Sequence, residues 1–193
     1  VVNGSRQVVI ARNVIENSQV GIGFYGQSTG RVRFNTIVGC SYGLRVEGAT
    51  TWAKARNNIL ADHTIALVSA DDGQILSDYN LLYANTAHYQ DTLAGPHDLV
   101  AVPQFVGGST TPYHLQPTSP AVDSAAPGVA APVGGGEYAD RGYHELLAAP
   151  LALLFGQEGP SCAEGNSGVL GTEAALVRVT DDGEPPLFAT ESF

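Results

Sequence analysis

Apolar and polar residues alternate in short bursts along the first ninety residues, and the bursts repeat. Val8-Val9-Ile10-Ala11-Arg12 and Gly30-Arg31-Val32-Arg33-Phe34 form one series. Gly21-Ile22-Gly23-Phe24, Gly43-Leu44-Arg45-Val46 and Ile65-Ala66-Leu67-Val68 form a second at a fixed lag. Asparagine recurs at Asn13, Asn35, Asn58 and Asn80, with spacings of 22, 23 and 22 residues, and two places after each comes Ile15, Ile37, Leu60 or Leu82. Alternation within a burst is the period of a strand. Repetition of the whole at a fixed interval is the mark of a solenoid, whose coils bury their apolar faces only against each other. Glycine, β-branched residues and asparagine at this density oppose helix.

The spacing predicts parallel strands at 8–12, 31–34, 53–56 and 75–78 in one sheet, and at 21–25, 43–47 and 65–69 in another. Val32, Ile37, Leu44 and Val46 form the expected inward set of coil two. Coil three places Ala53 and Ala55 inward and leaves open whether Leu67 or Val68 points in. Coil four opens with Ile75 and Asn80-Leu81-Leu82, then loses the pattern at Tyr83-Ala84-Asn85-Thr86. One residue per coil, stacked roughly 4.8 Å apart, makes the asparagines a ladder of amides that donate and accept along the solenoid axis. Asparagine also tolerates left-handed turns. By spacing, Asn58 rather than Asn57 is the rung.

Proline then breaks the pattern. It occurs at 96, 103, 112, 117, 120, 127 and 132. Proline removes ladder donors, so residues 95–145 read as a wrap outside the central sheets. Gln104-Phe105-Val106 and Tyr113-His114-Leu115 are its short extended pieces. The organisation is therefore coils over 1–94, a wrap over 95–145 and a tail over 146–193, whose one strand-like run is Ala175–Val179.

Composition narrows the class. The chain has 193 residues, a net charge of −10 and only 15% charged residues. Such acidity opposes nucleic acid as a general partner, since phosphate binding needs a basic face. No apolar run reaches the roughly 18 residues of a membrane span. Few charges and much glycine, serine, threonine and asparagine suit a secreted or cell-surface β protein. The absence of methionine and of a leader predicts a processed product or a fragment. Cys40 and Cys162 are too few for a disulfide framework, and both one long-range pair and two buried thiols stay open.

These residues resemble a family. The repeated V-x-I-x-N pattern followed by G-I is similar to the right-handed parallel β-helix proteins of the pectate-lyase-like superfamily. Pro103-Gln104-Phe105-Val106, the run Leu115-Gln116-Pro117-Thr118-Ser119-Pro120-Ala121-Val122-Asp123 and Asp140-Arg141-Gly142-Tyr143-His144-Glu145 resemble the L-x-P-x-S-P-A-I-D and D-I-G-A-Y-E endings of its secreted bacterial members. The resemblance implies an all-β fold, a short right-handed parallel β-helix closed by a proline-rich wrap. It covers residues 8–145. It implies a fold more than an activity, since such β-helices include polysaccharide lyases, glycoside hydrolases, epimerases and surface proteins without a reaction. The expectation for function is a secreted or surface β-helix that binds an anionic polysaccharide, with processing of the polysaccharide lyase kind left open. The alternative is a non-catalytic structural or adhesive module of a longer surface protein.

The outward positions carry the candidate chemistry. If Val32 faces in, Arg31 and Arg33 face out, and Lys54 and Arg56 fall in equivalent places one coil later. These are four of the chain's nine cations. Asp78 follows Arg56 on the next coil. As a solvated face they would contribute little; as a site they would cradle the carboxylates of a sugar polymer, where arginine's planar fork gives bidentate contact. β-Elimination needs the uronate carboxylate neutralised and a proton removed. Arg33 or Arg56 would do the first and Lys54 the second, with Arg31, Arg45, Tyr25 and Trp52 binding substrate. No metal-ligand spacing is present among the histidines. The residues indicate no cofactor; calcium stays open, with Asp71-Asp72 the nearest carboxylate pair. Polygalacturonase-type hydrolysis is disfavoured, because Asn35-Thr36 is followed by Ile37 and there is no G-H-G.

The N-terminal edge is a further expectation. Val8–Arg12 starts a coil with no cap before it, and open edges template pairing. Either further coils precede it in a longer precursor, or another chain stacks on Val8–Ile10, or the tail folds back with Ala175–Val179 on coil one.

Overall fold

The computed structural model describes residues 1–147 and, beyond them, two short strands, Arg178–Val179 and Leu187–Phe188. Its strands in chain order are β1 (Val2–Asn3), β2 (Val8–Ala11), β3 (Val14–Glu16), β4 (Val20–Tyr25), β5 (Thr29–Arg33), β6 (Thr36–Val38), β7 (Tyr42–Glu47) and β8 (Trp52–Arg56). There follow β9 (Ile59–Ala61), β10 (Ile65–Ala70), β11 (Gln74–Asp78), β12 (Leu81–Tyr83), β13 (Ala87–Gln90), β14 (Leu99–Val100), β15 (Arg178–Val179) and β16 (Leu187–Phe188). No helix occurs among the described residues. One compact unit spans Val1–Leu147 and a second spans Ala148–Phe193.

The first unit is a parallel β-solenoid of about four turns. It has three faces. The first carries β2, β5, β8 and β11; the second β3, β6, β9, β12 and β14; the third β1, β4, β7, β10 and β13. The sequence reading resolved two of these sheets. The second face is built from the short segments around Ile15, Ile37, Leu60 and Leu82, each only three residues long. Such brief strands carry too little alternation to register as a separate sheet.

Inward packing follows the predicted pattern. Val32, Ile37, Leu44, Val46, Ala53 and Ala55 are buried, with Phe24, Leu60, Leu67 and Leu82 completing the core. Leu67 is the core residue of coil three, opposite Leu44; Val68, opposite Arg45, is also buried. Coil four does not dissolve after Leu82. Asn85 accepts the His63 N–H at 2.9 Å, which carries the chain into β13, where Ala87 pairs with Ile65. β14 then opens a fifth turn against β12.

The asparagine ladder is continuous. Asn13 Nδ2 donates to Asn35 Oδ1 at 3.0 Å, Asn35 Nδ2 to Asn58 Oδ1 at 3.0 Å, and Asn58 Nδ2 to Asn80 Oδ1 at 2.8 Å. Each acceptor also takes the backbone N–H of the preceding rung. Asn35, Asn58 and Asn80 are buried, so these bonds satisfy groups that would otherwise be orphaned. The left-handed conformation belongs to the residue before each rung: Arg12, Phe34, Asn57 and Tyr79 all have φ between 54° and 57°. The asparagines thus serve the corner through their amides, not through their own backbone.

Asp98 ends the ladder. Its Oδ1 accepts the Asn80 N–H at 2.8 Å and Asn80 Nδ2 at 3.2 Å, while Ser77, Tyr89 and the Gly95 N–H donate to Oδ2. A carboxylate accepts without donating, so it closes a row of donors.

The wrap lies against the second face and the first corner. Its extended pieces meet in an antiparallel bridge, Phe105 to Leu115. Arg141 is buried, donating from Nη1 to Asn80 O and His97 O and from Nε to Ser124 O. Gly142 has φ +98°, and a Cβ there would come within 2.7 Å of Ile59 Cδ1. Only glycine lets the chain pass so close.

In the second unit β15 pairs antiparallel with β16. The remainder of Leu146–Phe155 beyond Leu147, the rest of Ala175–Val179, and Cys162 with its pairing to Cys40 lie outside the described residues.

Candidate functional site

The first face is a grid fixed by strand register. Arg31 stands opposite Lys54, and Arg33 opposite Arg56. Val9 precedes Arg31 in its row and Leu76 follows Lys54; Ala11 precedes Arg33 and Asp78 follows Arg56. The alternating pattern of β5 and β8 buries Val32, Ala53 and Ala55 and leaves Arg31, Arg33, Lys54 and Arg56 exposed. Rows are about 4.8 Å apart along the solenoid axis, and residues two apart on a strand are about 6.6 Å apart. Four cations therefore sit in one patch.

The patch is a groove with a wall. Ala126, Pro127 and Val129 of the wrap rise beside Arg31, Arg33, Lys54 and Arg56, enclosing a hollow of about 360 Å³. Asn57 holds the wall in place, its Oδ1 accepting the Ala126 N–H at 2.9 Å. A neighbouring hollow of about 320 Å³ lies between Lys54, Arg56, Leu76, Asp78 and Pro96.

Among the described residues Arg31, Arg33 and Lys54 have no carboxylate within ion-pair distance, while Arg56 Nη2 meets Asp78 Oδ2 at 2.6 Å. Like charges on neighbouring strands repel, so Arg31 opposite Lys54, with Arg33 beside them opposite Arg56, favours an anion in this patch. Asp78 also receives His97 Nδ1 at 2.9 Å. Burial pushes the Asp78 carboxyl up, but the hydrogen bonds from Arg56 and His97 outweigh it and hold the group below its ordinary value.

The sequence-predicted residues are only partly brought together. Arg33, Lys54, Arg56, Arg31 and Trp52 share the first face. Trp52 sits two residues before Lys54, in the row of Thr29 and Gln74, beside Arg6 and Gln7. Arg45 and Tyr25 are elsewhere, on β7 and β4 of the third face. Arg45 is paired with Glu47 at 2.7 Å and lies over the Tyr42 ring. Hydrogen bonding to Glu47 raises its guanidinium above the ordinary value. Tyr25 packs on Gly23. Alternation told which residues point outward, but not which of three faces they point from. Asp71 and Asp72 are exposed turn residues between β10 and β11. Among the described residues no three His, Cys, Asp or Glu side chains come together as a metal-binding group.

Sequence reasoning missed His97. It belongs to the irregular wrap, 19 residues after Asp78, so no period points to it.

Compared with protein-family models, with curated proteins and with solved structures, the chain shows no match in any of the three. The first unit is a parallel β-solenoid with a walled cation groove on one face.

Proposed function

We propose that this chain is a secreted or surface-displayed β-solenoid that binds an anionic polysaccharide in the groove of its first face. The observation that carries this reading is the register of Arg31 with Lys54 and Arg33 with Arg56 beside the Ala126–Val129 wall. Two arginines and a lysine without carboxylate partners among the described residues favour an anion over a neutral sugar. Exposed Val9 and Leu76, at 50% and 54%, flank the cations and suit the apolar edges of sugar rings. The resemblance of the coils and the wrap to pectate-lyase-like proteins supports the polysaccharide lyase form of this reading, in which Arg33 and Arg56 neutralise a uronate carboxylate beside Lys54.

The test is retention on an immobilised polyuronate. The protein should be retained at low salt and released as salt rises, as screened ion pairs require. Replacing Arg33, Lys54 and Arg56 together by serine should abolish retention. Retention that ignores both salt and this triple change would refute the reading. Retention of the native protein without any turnover would favour the adhesive module over the lyase.

A further inference from the structure

We propose that His97 and Asp78 form a general-base dyad at the edge of the cation groove, with His97 Nε2 as the base and Asp78 as its positioning residue. The inference rests on the anionic-glycan reading and deepens it. Asp78 Oδ1 meets His97 Nδ1 at 2.9 Å. An ionised carboxylate accepts only, so Nδ1 carries the hydrogen and the lone pair of the neutral ring lies on Nε2. The imidazole is held from several sides. Its ring stacks on Tyr79, with centroids 4.3 Å apart and planes 18° apart. Its backbone carbonyl accepts from Arg141 Nη1 at 3.2 Å, and the turn that contains it is closed by Asp98 N to Gly95 O and by Gly95 N to Asp98 Oδ2. Yet the His97 side chain keeps 53% of its surface open. Such a fixed yet open imidazole beside a carboxylate is the arrangement a general base requires.

The neighbours define what it would act on. Asp78 Oδ2 is bound to Arg56, whose strand partner is Arg33, and Lys54 and Arg56 line the hollow bounded by Pro96, the residue before His97. A uronate carboxylate neutralised by these cations has a more acidic proton on the adjacent ring carbon. Lys54 lines the hollow with Arg56 and stands with the cations that bind, and the proton passes to His97. In the step, the C5–H bond breaks and its proton passes to Nε2. The C–H electron pair becomes the C4–C5 double bond. The C4–O bond breaks, and its electrons leave on the glycosidic oxygen, which takes a proton from water. No oxidant or reductant is required.

The groups facing His97 are Asp78, with Arg56 behind it, Tyr79 and Arg141. Asp78 favours the imidazolium and the arginines oppose it, so the pH profile reports on the dyad. The experiment follows the unsaturated product of polygalacturonate and of alginate by absorbance between pH 5 and 9, alongside column retention and thermal unfolding. Expected for the native protein is product formation that rises with pH along a single limb. H97Q should lose product formation by about 10²-fold or more, with retention on the column unchanged. D78N should slow turnover and move the rising limb to lower pH, because the anion favouring the imidazolium is gone. A dyad serving only as a clasp would change melting and leave no pH limb to move. Retention of the native protein without product at any pH overturns the dyad and leaves the binding reading standing; so does unchanged turnover by H97Q. Absence of retention overturns both.

Discussion

The coils and the wrap are held together by different physics. In the coils every stabilising device recurs. The same corner conformation appears at Arg12, Phe34, Asn57 and Tyr79, and the same amide bond links Asn13 to Asn35, Asn35 to Asn58 and Asn58 to Asn80. In the wrap each device occurs once. Arg141 reaches three carbonyls, Asp140 accepts the Asp123 and Leu146 N–H groups, and Tyr113 donates to Glu16 at 2.5 Å. Repetition spreads the cost of an error over one rung; a single fastener exposes a whole loop to it. The candidate site lies where the two meet, since its cations come from the coils and its wall and histidine come from the wrap.

The largest effect should come from an inner rung. Asn58→Ala leaves the buried Asn35 N–H without its acceptor, at about 1–3 kcal/mol, and also takes the Asn58 Nδ2 donor from Val32 O, while Asn80 Oδ1 keeps the residue 58 N–H. The exposed end rung behaves otherwise: Asn13→Ala should cost about 1 kcal/mol or less, because Asn35 Oδ1 keeps the residue 13 N–H. Denaturant unfolding of both variants gives the difference, and equal losses would mean the ladder is not what holds the coils.

Next comes the wrap's fastener. Arg141→Ala removes three hydrogen bonds from a cation that burial already pushes below its ordinary basicity. The two contributions partly cancel, leaving a loss of about 2 kcal/mol. Arg141→Lys should not restore it, since an ammonium cannot present the planar fork. Hydrogen exchange should show the loss in the wrap before the inner strands β5 to β10. Uniform loss across both regions would show that they unfold as one body.

The smallest effect is a difference in the response to acid. His63, at a coil corner, accepts the Cys40 N–H on Nδ1, and its buried Nε2 has no partner among the described residues. Burial lowers its basicity. The unfolded chain therefore takes up the proton first, and His63 costs stability as pH falls below about 6.5. Asp140 and Glu145, in the wrap, are pushed the other way by burial. Their contribution is full below the ordinary carboxylate value and is lost as pH rises through the raised folded values. His63→Asn, which copies Asn85 of the next coil, should flatten the acid loss. Glu145→Gln should flatten the opposite slope. If both variants track the native protein from pH 4 to 7, neither group titrates as its burial requires.

What was legible in the sequence follows the same division. Val32, Ile37, Leu44 and Val46, the rungs at Asn35, Asn58 and Asn80, and the register of Arg31 and Arg33 with Lys54 and Arg56 were readable because each feature recurs every 22 or 23 residues. Asp98 was not, since it closes the ladder 18 residues after Asn80. His97 and Arg141 act through single contacts, and no period announces such a contact. Arg45 and Tyr25 were grouped with the cation face because alternation separates in from out but not one outer face from another.

The most direct test of the cation groove uses the chain's only tryptophan. Trp52 shares a strand and a face with Lys54 and Arg56, so its emission reports on whatever fills that face. Titration with a trigalacturonate should give a saturable change in Trp52 emission. The midpoint should move to higher ligand concentration with added salt, and the change should vanish when Arg33, Lys54 and Arg56 are replaced by serine. Emission that stays flat in the native protein, or that changes equally in the triple variant, would contradict an anionic glycan in this groove.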